Sequence, residues 1–279
     1  ARLSGKIGVC LATTGPGATN LLTGVGGAYR DSSPVLVLTA NNKLGDIGRD
    51  DAQDADHVAL FEKLTKWSVF VDSIKHLPSI LRQAYVTMYS GCPGPVHIDV
   101  ARDVLEEQTM NVNIEELNVQ LPAQGMPDEE TLQRIARMIA QSEKPLIWAG
   151  NGVKISRAGK EVLKLAEQCS IPVINTFNGI GSVPFDHANS FGTLSRMGTS
   201  LAKELLEDSD LLVAVGNSLN GVSTKRWTFD LPDQLIQIDT DPTNINKHYP
   251  VSIGLVSDAK TAVNGLFKYI EQELDSTLQ

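Results

Sequence analysis

Short apolar runs rich in β-branched residues alternate with helical segments along the whole chain, and this alternation constrains the fold more than any other feature. In the first part the runs are Ile7 to Ala12, Pro34 to Thr39 (PVLVLT) and Val96 to Val100. Helices fit between them at Ala18 to Tyr29 and at about Pro78 to Ser90. Short, largely apolar strands alternating with helices argue for a parallel sheet covered on both faces by its crossover helices. Three strands are few for such a sheet, so the first domain is expected to be incomplete. The second part carries five runs: Pro145 to Ala149, Ile171 to Asn175, Leu211 to Val215, Gln234 to Asp239 and Ile253 to Val256. Helices are expected at about Ala158 to Cys169 and Thr199 to Leu206. A last helix has Val263, Leu266, Phe267, Ile270 and Leu274 on one face. The fold class is therefore α/β, an incomplete parallel-sheet domain followed by a Rossmann-like doubly wound one. The regular pattern stops over a polar stretch containing Pro122 and Gly125. The expected boundaries are 1–105 for the first domain, 106–127 for a linker and 128–279 for the second domain. Asp128, Glu129 and Glu130 suit the start of the helix that reopens the pattern.

The charge balance narrows the function. A net charge of −9 argues against nucleic acid or an anionic membrane as partner. No apolar run approaches a membrane span and no signal-peptide pattern is visible. Cys10, Cys92 and Cys169 are odd in number and widely separated, the usage of a reducing compartment, and all three are read as small buried hydrophobes. The expected location is cytoplasmic. His57, His76, His97, His187 and His248 show no ligand spacing for a metal.

The sharpest local feature is Thr13-Thr14-Gly15-Pro16-Gly17-Ala18-Thr19-Asn20, set between a strand and a helix. Two glycines around a proline permit a tight turn, and the helix start offers free N–H groups. On these grounds it is either an anion or cofactor loop at the carboxyl end of a strand or a plain strand-to-helix turn. No Gly-Lys-Ser/Thr follows, so it is not a Walker loop.

The segment from Gly5 to Gly24, with TTGPGATNLLTG at its centre, resembles the pyrimidine-binding domain of acetolactate synthases and related thiamine-diphosphate enzymes. The likeness continues through Tyr29, Asp31, Ser32, PVLVLT and GCPGPVHIDVARDV, and then through IPVINTFNGIGSVP and IDTDPTNINK in the second domain. The resemblance implies that the loop holds the aminopyrimidine ring rather than an anion, with Pro16, Gly17 and Asn20 at the cofactor. It places Gln53 near the active site. Ala52 stands where acetolactate synthases carry a phenylalanine lining the substrate channel, which points to a larger or different acceptor. The neighbouring Asp50, Asp54 and Asp56 read equally as a solvated acidic loop. The implied parent is a homo-oligomer, dimer or tetramer, acting on a 2-oxo acid with thiamine diphosphate and magnesium. The glutamate that activates the cofactor, and the Gly-Asp-Gly domain that holds its diphosphate and magnesium, are not found in these residues. The chain is thus expected to be a truncated piece, inactive alone, with no catalytic or metal-binding residue of its own. Fragments of a 2-hydroxyacyl-CoA lyase or a sulfoacetaldehyde acetyltransferase relative, or a non-catalytic nucleotide-binding module, are the alternatives.

The resemblance also implies a nucleotide site in the second domain, with Gly150, Gly152, Arg196, Gly198, Gly216, Asp239 and Asp258 as candidate contacts. A structural spacer is the preferred reading of this domain, and a bound ADP-like nucleotide or FAD is the alternative. Cys92 and Ser218 replace two arginines of the FAD-binding relatives, which favours ADP over FAD. Lys225-Arg226-Trp227 is either a surface patch or a phosphate contact.

Overall fold

The computed structural model describes residues 1–107, 119–121 and 125–277. Of the expected linker, 108–118 and 122–124 lie outside the described residues. The chain divides into two compact units, 1–123 and 124–279.

In the first unit the order is β1 (Gly8–Ala12), α1 (Pro16–Arg30), β2 (Val35–Asn41), α2 (His57–Glu62), β3 (Trp67–Val71), α3 (Leu77–Tyr89), β4 (Val96–Ala101) and α4 (Arg102–Glu106). The described sheet has four strands rather than the three expected, in the order β1-β2-β4-β3. All its pairings are parallel. The added strand, β3 (WSVFV), is an edge strand whose residues are mostly half-buried. The first three crossovers sort the helices onto the two faces. Ala18, Val25 and Phe61 from α1 and α2 pack on Val37 of one face. Ala84 and Met88 of α3 pack on Val71, Val96, Ile98 and Val100 of the other. On that second face Val9 and Leu11 of edge strand β1 remain 64% and 74% exposed.

The second unit runs α5 (Glu129–Gln141), β5 (Pro145–Ala149), α6 (Asn151–Ile155), α7 (Gly159–Cys169), β6 (Val173–Asn175), β7 (Ser190–Thr193), α8 (Ser200–Asp208), β8 (Leu211–Val215), β9 (Gln234–Asp239), β10 (Ile253–Val256) and α9 (Ala259–Thr277). Its six described strands are parallel, in the order β10-β9-β8-β5-β6-β7. From β5 the chain winds outward through β6 and β7, then returns to β8 on the other side and winds out to β10. A doubly wound sheet results, as expected, with its topological switch point between the carboxyl ends of β5 and β8. Asp128 caps α5 by accepting from Thr131 N–H at 2.8 Å, the role that its place before an apolar stripe foretold. Val263, Leu266 and Ile270 of α9 are fully buried against Leu132, Ile135 and Ile139 of α5 and the strands beneath. Ser190–Thr193 was not anticipated as a strand; it is short, half-buried, and holds Gly192 at φ +90°.

None of the three cysteines forms a disulfide among the described residues, and all are only half-buried, not fully buried as expected. Partial desolvation still raises the Cys10 thiol and pushes that of Cys169 up to about 11. No helix among the described residues is long and apolar enough to cross a membrane.

Candidate functional site

The loop between β1 and α1 is set by a turn that only glycine makes freely. Gly15 has φ +59° and ψ −111°, and a Cβ there would lie 2.5 Å from the Gln53 carbonyl oxygen. Pro16 is at the first turn of α1, where its missing N–H costs nothing. Pro16 and Asn20 are exposed, Gly17 is half-buried and Gly15 is buried. Gln53 faces the loop through its backbone, at φ +61° and in contact with Gly15, while its residue as a whole is exposed. The structure therefore brings Pro16, Gly17, Asn20 and Gln53 to one place. Asp54 and Asp56 serve the adjoining backbone: Asp54 accepts from Gly48 N–H, and Asp56 caps α2 through Ala59 N–H.

Beneath this loop lies a buried polar network that the sequence reading missed. Gly15 N–H donates to His57 Nε2 at 2.9 Å, and His57 Nδ1 lies 2.9 Å from Asp99 Oδ1. Both side chains are essentially inaccessible. Thr39 Oγ1 donates to Asp99 Oδ1 at 2.5 Å and Asn41 Nδ2 donates to Asp99 Oδ2 at 2.6 Å. Asn41 is itself oriented, because its Oδ1 accepts from Asn42 N–H at 2.7 Å. His97 Nε2 lies 2.8 Å from Thr39 Oγ1, and its Nδ1 lies 2.8 Å from Ser68 Oγ.

Proton counting fixes the part of the network around Asp99. Because Nε2 of His57 accepts from an amide, the ring proton sits on Nδ1 and is donated to Asp99. The carboxylate then accepts from three donors, from His57, Thr39 and Asn41. The hydroxyl proton of Thr39 goes to Asp99, so His97 Nε2–H donates to the Thr39 oxygen, while the single Ser68 hydroxyl proton has two acceptors in reach, His97 Nδ1 at 2.8 Å and the Val58 carbonyl oxygen at 3.0 Å. Strand register makes this possible: Thr39 pairs with Asp99, and His97 with Ser68, on adjacent strands and one face. The ring of His97 also stacks on Phe61 at 4.1 Å.

Burial pushes His97 down to about 4, against the opposing pull of Asp99 and with a smaller push from His57. An unfolded histidine titrates near 6.5, so between about pH 4 and 6.5 the unfolded chain binds the extra proton. Stability is thus expected to fall as pH drops through that window and to be insensitive to His97 above it. Urea unfolding at pH 7.5 and 4.5 should differ by about 2 kcal/mol more in the native chain than in His97→Gln. An identical pH dependence in both would refute the assignment.

In the second unit the candidate residues divide. Gly150, Gly152 and Gly216 meet at the switch point: Gly150 N–H donates to Val215 O at 2.8 Å and Gly152 N–H to Gly216 O at 2.9 Å. Asn217, next along, is buried, and its Nδ2 has no hydrogen-bond partner. The Asp239 carboxyl is buried at the end of β9 and raised by that burial, and its Oδ1 accepts from Asp241 N–H. Asp258 caps α9, accepting from Lys260 and Thr261 N–H. Gly198 lies just before Thr199, whose hydroxyl caps α8, and Arg196 is exposed beside it. Lys225, Arg226 and Trp227 are exposed, at φ +52°, +60° and +59°, and the Trp227 ring lies 4.9 Å from that of His248.

The N-terminal TPP binding domain of thiamine pyrophosphate enzymes matches residues 1–60, which include the glycine loop and His57, and the central domain of the same enzymes matches residues 132–266. The chain belongs to the thiamine pyrophosphate enzyme family. It is 39% identical to a Methanocaldococcus jannaschii protein named "Probable acetolactate synthase large subunit", over 95% of this chain and 46% of that protein. It is 36% identical to a Bacillus subtilis protein named "Putative thiamine pyrophosphate-containing protein YdaP", over 99% of this chain and 47% of that one. The chloroplastic acetolactate synthase of Arabidopsis thaliana is 34% identical over 99% of this chain and 41% of its own length. The chain thus spans somewhat under half the length of these relatives. Membership in the thiamine pyrophosphate enzymes is consistent with two all-parallel α/β units.

Proposed function

We propose that the first unit supplies the pyrimidine-facing wall of a thiamine-diphosphate site, in an acetolactate synthase-like enzyme acting on a 2-oxo acid such as pyruvate. The observation that carries this reading is the Gly15–Gly17 loop, held from below at the carboxyl end of β1 with Pro16 and Asn20 exposed above it. The residues fit such a group: the surface is exposed, uncharged at Pro16, Gly17 and Asn20, and rigid because Gly15 is pinned by a buried acceptor. Pro16 and Gly17 would lie along the ring, and Asn20, one turn into α1, would offer it an amide. Gln53 borders the same surface. Thiamine diphosphate, when bound, supplies an electron sink for breaking the bond between the keto carbon and the carboxylate of the 2-oxo acid. This chain's part is to orient the ring and keep that wall dry.

The relatives are about twice as long, and the diphosphate, the magnesium and the activating carboxylate are assigned to the remainder of the enzyme rather than to these residues. The working species is a homo-oligomer, dimer or tetramer, and three half-buried cysteines outside any disulfide suit a cytoplasmic protein. A different branch, a 2-hydroxyacyl-CoA lyase or a sulfoacetaldehyde acetyltransferase, is the competing reading, favoured by the small Ala52 beside Gln53. The second unit is proposed to be mainly a spacer. A nucleotide reading is kept for one observation, the unpartnered Asn217 donor at the switch point.

The gene's full-length product, with thiamine diphosphate and Mg²⁺, should consume pyruvate and form acetolactate, while this chain alone should do neither. No thiamine-diphosphate-dependent turnover of any 2-oxo acid, or equal turnover by this chain alone, would overturn the proposal. Calorimetry with ADP and FAD on the same protein separates spacer from nucleotide site.

A further inference from the structure

We infer that His57, locked in one tautomer by Asp99, is a positioning residue for the Gly15–Gly17 loop and therefore for the ring that the loop is proposed to hold; the second half of this statement rests on the function proposed above. The Gly15 amide is buried, and its direction decides where Pro16 and the start of α1 point. A buried N–H needs an acceptor, and no backbone carbonyl supplies one at this position; the acceptor is a ring nitrogen 42 residues away.

Few side chains can take this place. An apolar residue leaves the amide without a partner. A lysine, an arginine or a doubly protonated histidine brings only donors. A histidine free to choose its tautomer presents the accepting nitrogen only part of the time. Asp99 removes that choice, since its oxygen at 2.9 Å accepts the Nδ1 proton and leaves Nε2 bare toward Gly15. Asp99 is in turn held by Thr39 and Asn41, Thr39 by His97, and His97 by Ser68. The positions of five strand residues and a helix start thus converge on one N–H. Tautomer control by a buried carboxylate is the same device that orients an imidazole in hydrolytic triads, used here on the backbone of a binding loop.

The test compares His57→Gln with His57→Phe. Glutamine spans the same two atoms with an amide, its oxygen facing Gly15 and its NH2 facing Asp99, whereas phenylalanine keeps the ring volume without either. Amide exchange of Gly15 in this chain should accelerate about tenfold in His57→Phe relative to Leu38 and Ile98, central sheet amides that report global opening. In His57→Gln it should stay near the native value. In the gene's full-length product, thiamine diphosphate affinity measured with Mg²⁺ should follow the same order. Unchanged Gly15 exchange in His57→Phe, or exchange that rises only in step with Leu38 and Ile98, overturns the positioning role. Gly15 exchange that follows the substitutions while thiamine diphosphate binds all three proteins equally, or binds none, leaves the positioning role standing and removes the cofactor reading instead.

Discussion

Asp99→Ala is expected to destabilise the first unit by about 3–5 kcal/mol, the range for removing one partner from a buried charged network. Three donors lose their acceptor at once: His57 Nδ1–H, the Thr39 hydroxyl and the Asn41 amide. Each is buried, so water does not replace the lost bond without opening the sheet. His57 is then free to place its proton on Nε2, which turns a donor toward the Gly15 donor. Asp99→Asn keeps the shape and separates the two effects. Its amide must aim NH2 either at His57 Nδ1, forcing the wrong tautomer, or at Asn41 Nδ2, opposing two donors. It should cost less overall than alanine yet still disturb Gly15. Urea unfolding followed by circular dichroism checks the magnitudes. A change below about 1 kcal/mol for Asp99→Ala, smaller than the value of a single buried charged hydrogen bond, would mean that the network is not formed.

This network shows where sequence reading reaches its limit. The central strands were legible because PVLVLT and LLVAV are apolar runs of strand length and QLIQID carries Leu235, Ile236 and Ile238 into the core. The glycine loop and its neighbours Pro16, Gly17 and Asn20 were legible because turn chemistry is local. His57 and Asp99 were not, because their partnership spans 42 residues and exists only once β2, β4 and α2 are assembled. A signal was present all the same. Val96-His97-Ile98-Asp99-Val100 is a fully buried strand with two polar residues two apart, hence on one face, and such residues require partners. Reading the five histidines only for metal spacing passed over this. The edge strands Trp67–Val71 and Ser190–Thr193 escaped for a different reason: both are short and mostly half-buried, WSVFV is interrupted by Ser68, and SFGT holds one large apolar residue. Asp258 looked like a ligand-binding acid because an acid after a strand fits both roles, and the structure uses it to cap α9.

Gly150→Ala is expected to destabilise the second unit by about 3 kcal/mol or more, at the upper end of overpacking effects. A Cβ at Gly150 would lie 2.1 Å from Gly216 O and 2.7 Å from both the Gly216 carbonyl carbon and Asn217 Cα. All of these are backbone atoms, so no side chain can turn aside to make room. Withdrawing the Gly216 segment would break the bond from Gly152 N–H to Gly216 O and pull on Gly216 N–H, which donates to Ile238 O at 2.8 Å. Gly216 itself, at φ +56°, has no freedom to move toward a more ordinary backbone conformation without losing both. Trp148, fully buried on β5 two residues before the substitution, gives an intrinsic fluorescence readout of unfolding. A stability within 0.5 kcal/mol of the native chain would show that the two loops are not in contact. The contact also bears on what the switch point can hold. Glycines there were expected to let a nucleotide phosphate approach the backbone, but Gly150 and Gly152 lie against Gly216 itself. A phosphate would have to sit above that closed contact rather than between the two loops. The free donor nearest to hand in the chain is then Asn217 Nδ2, so Asn217→Leu should abolish any ADP binding that calorimetry detects while sparing the Gly150–Gly216 packing.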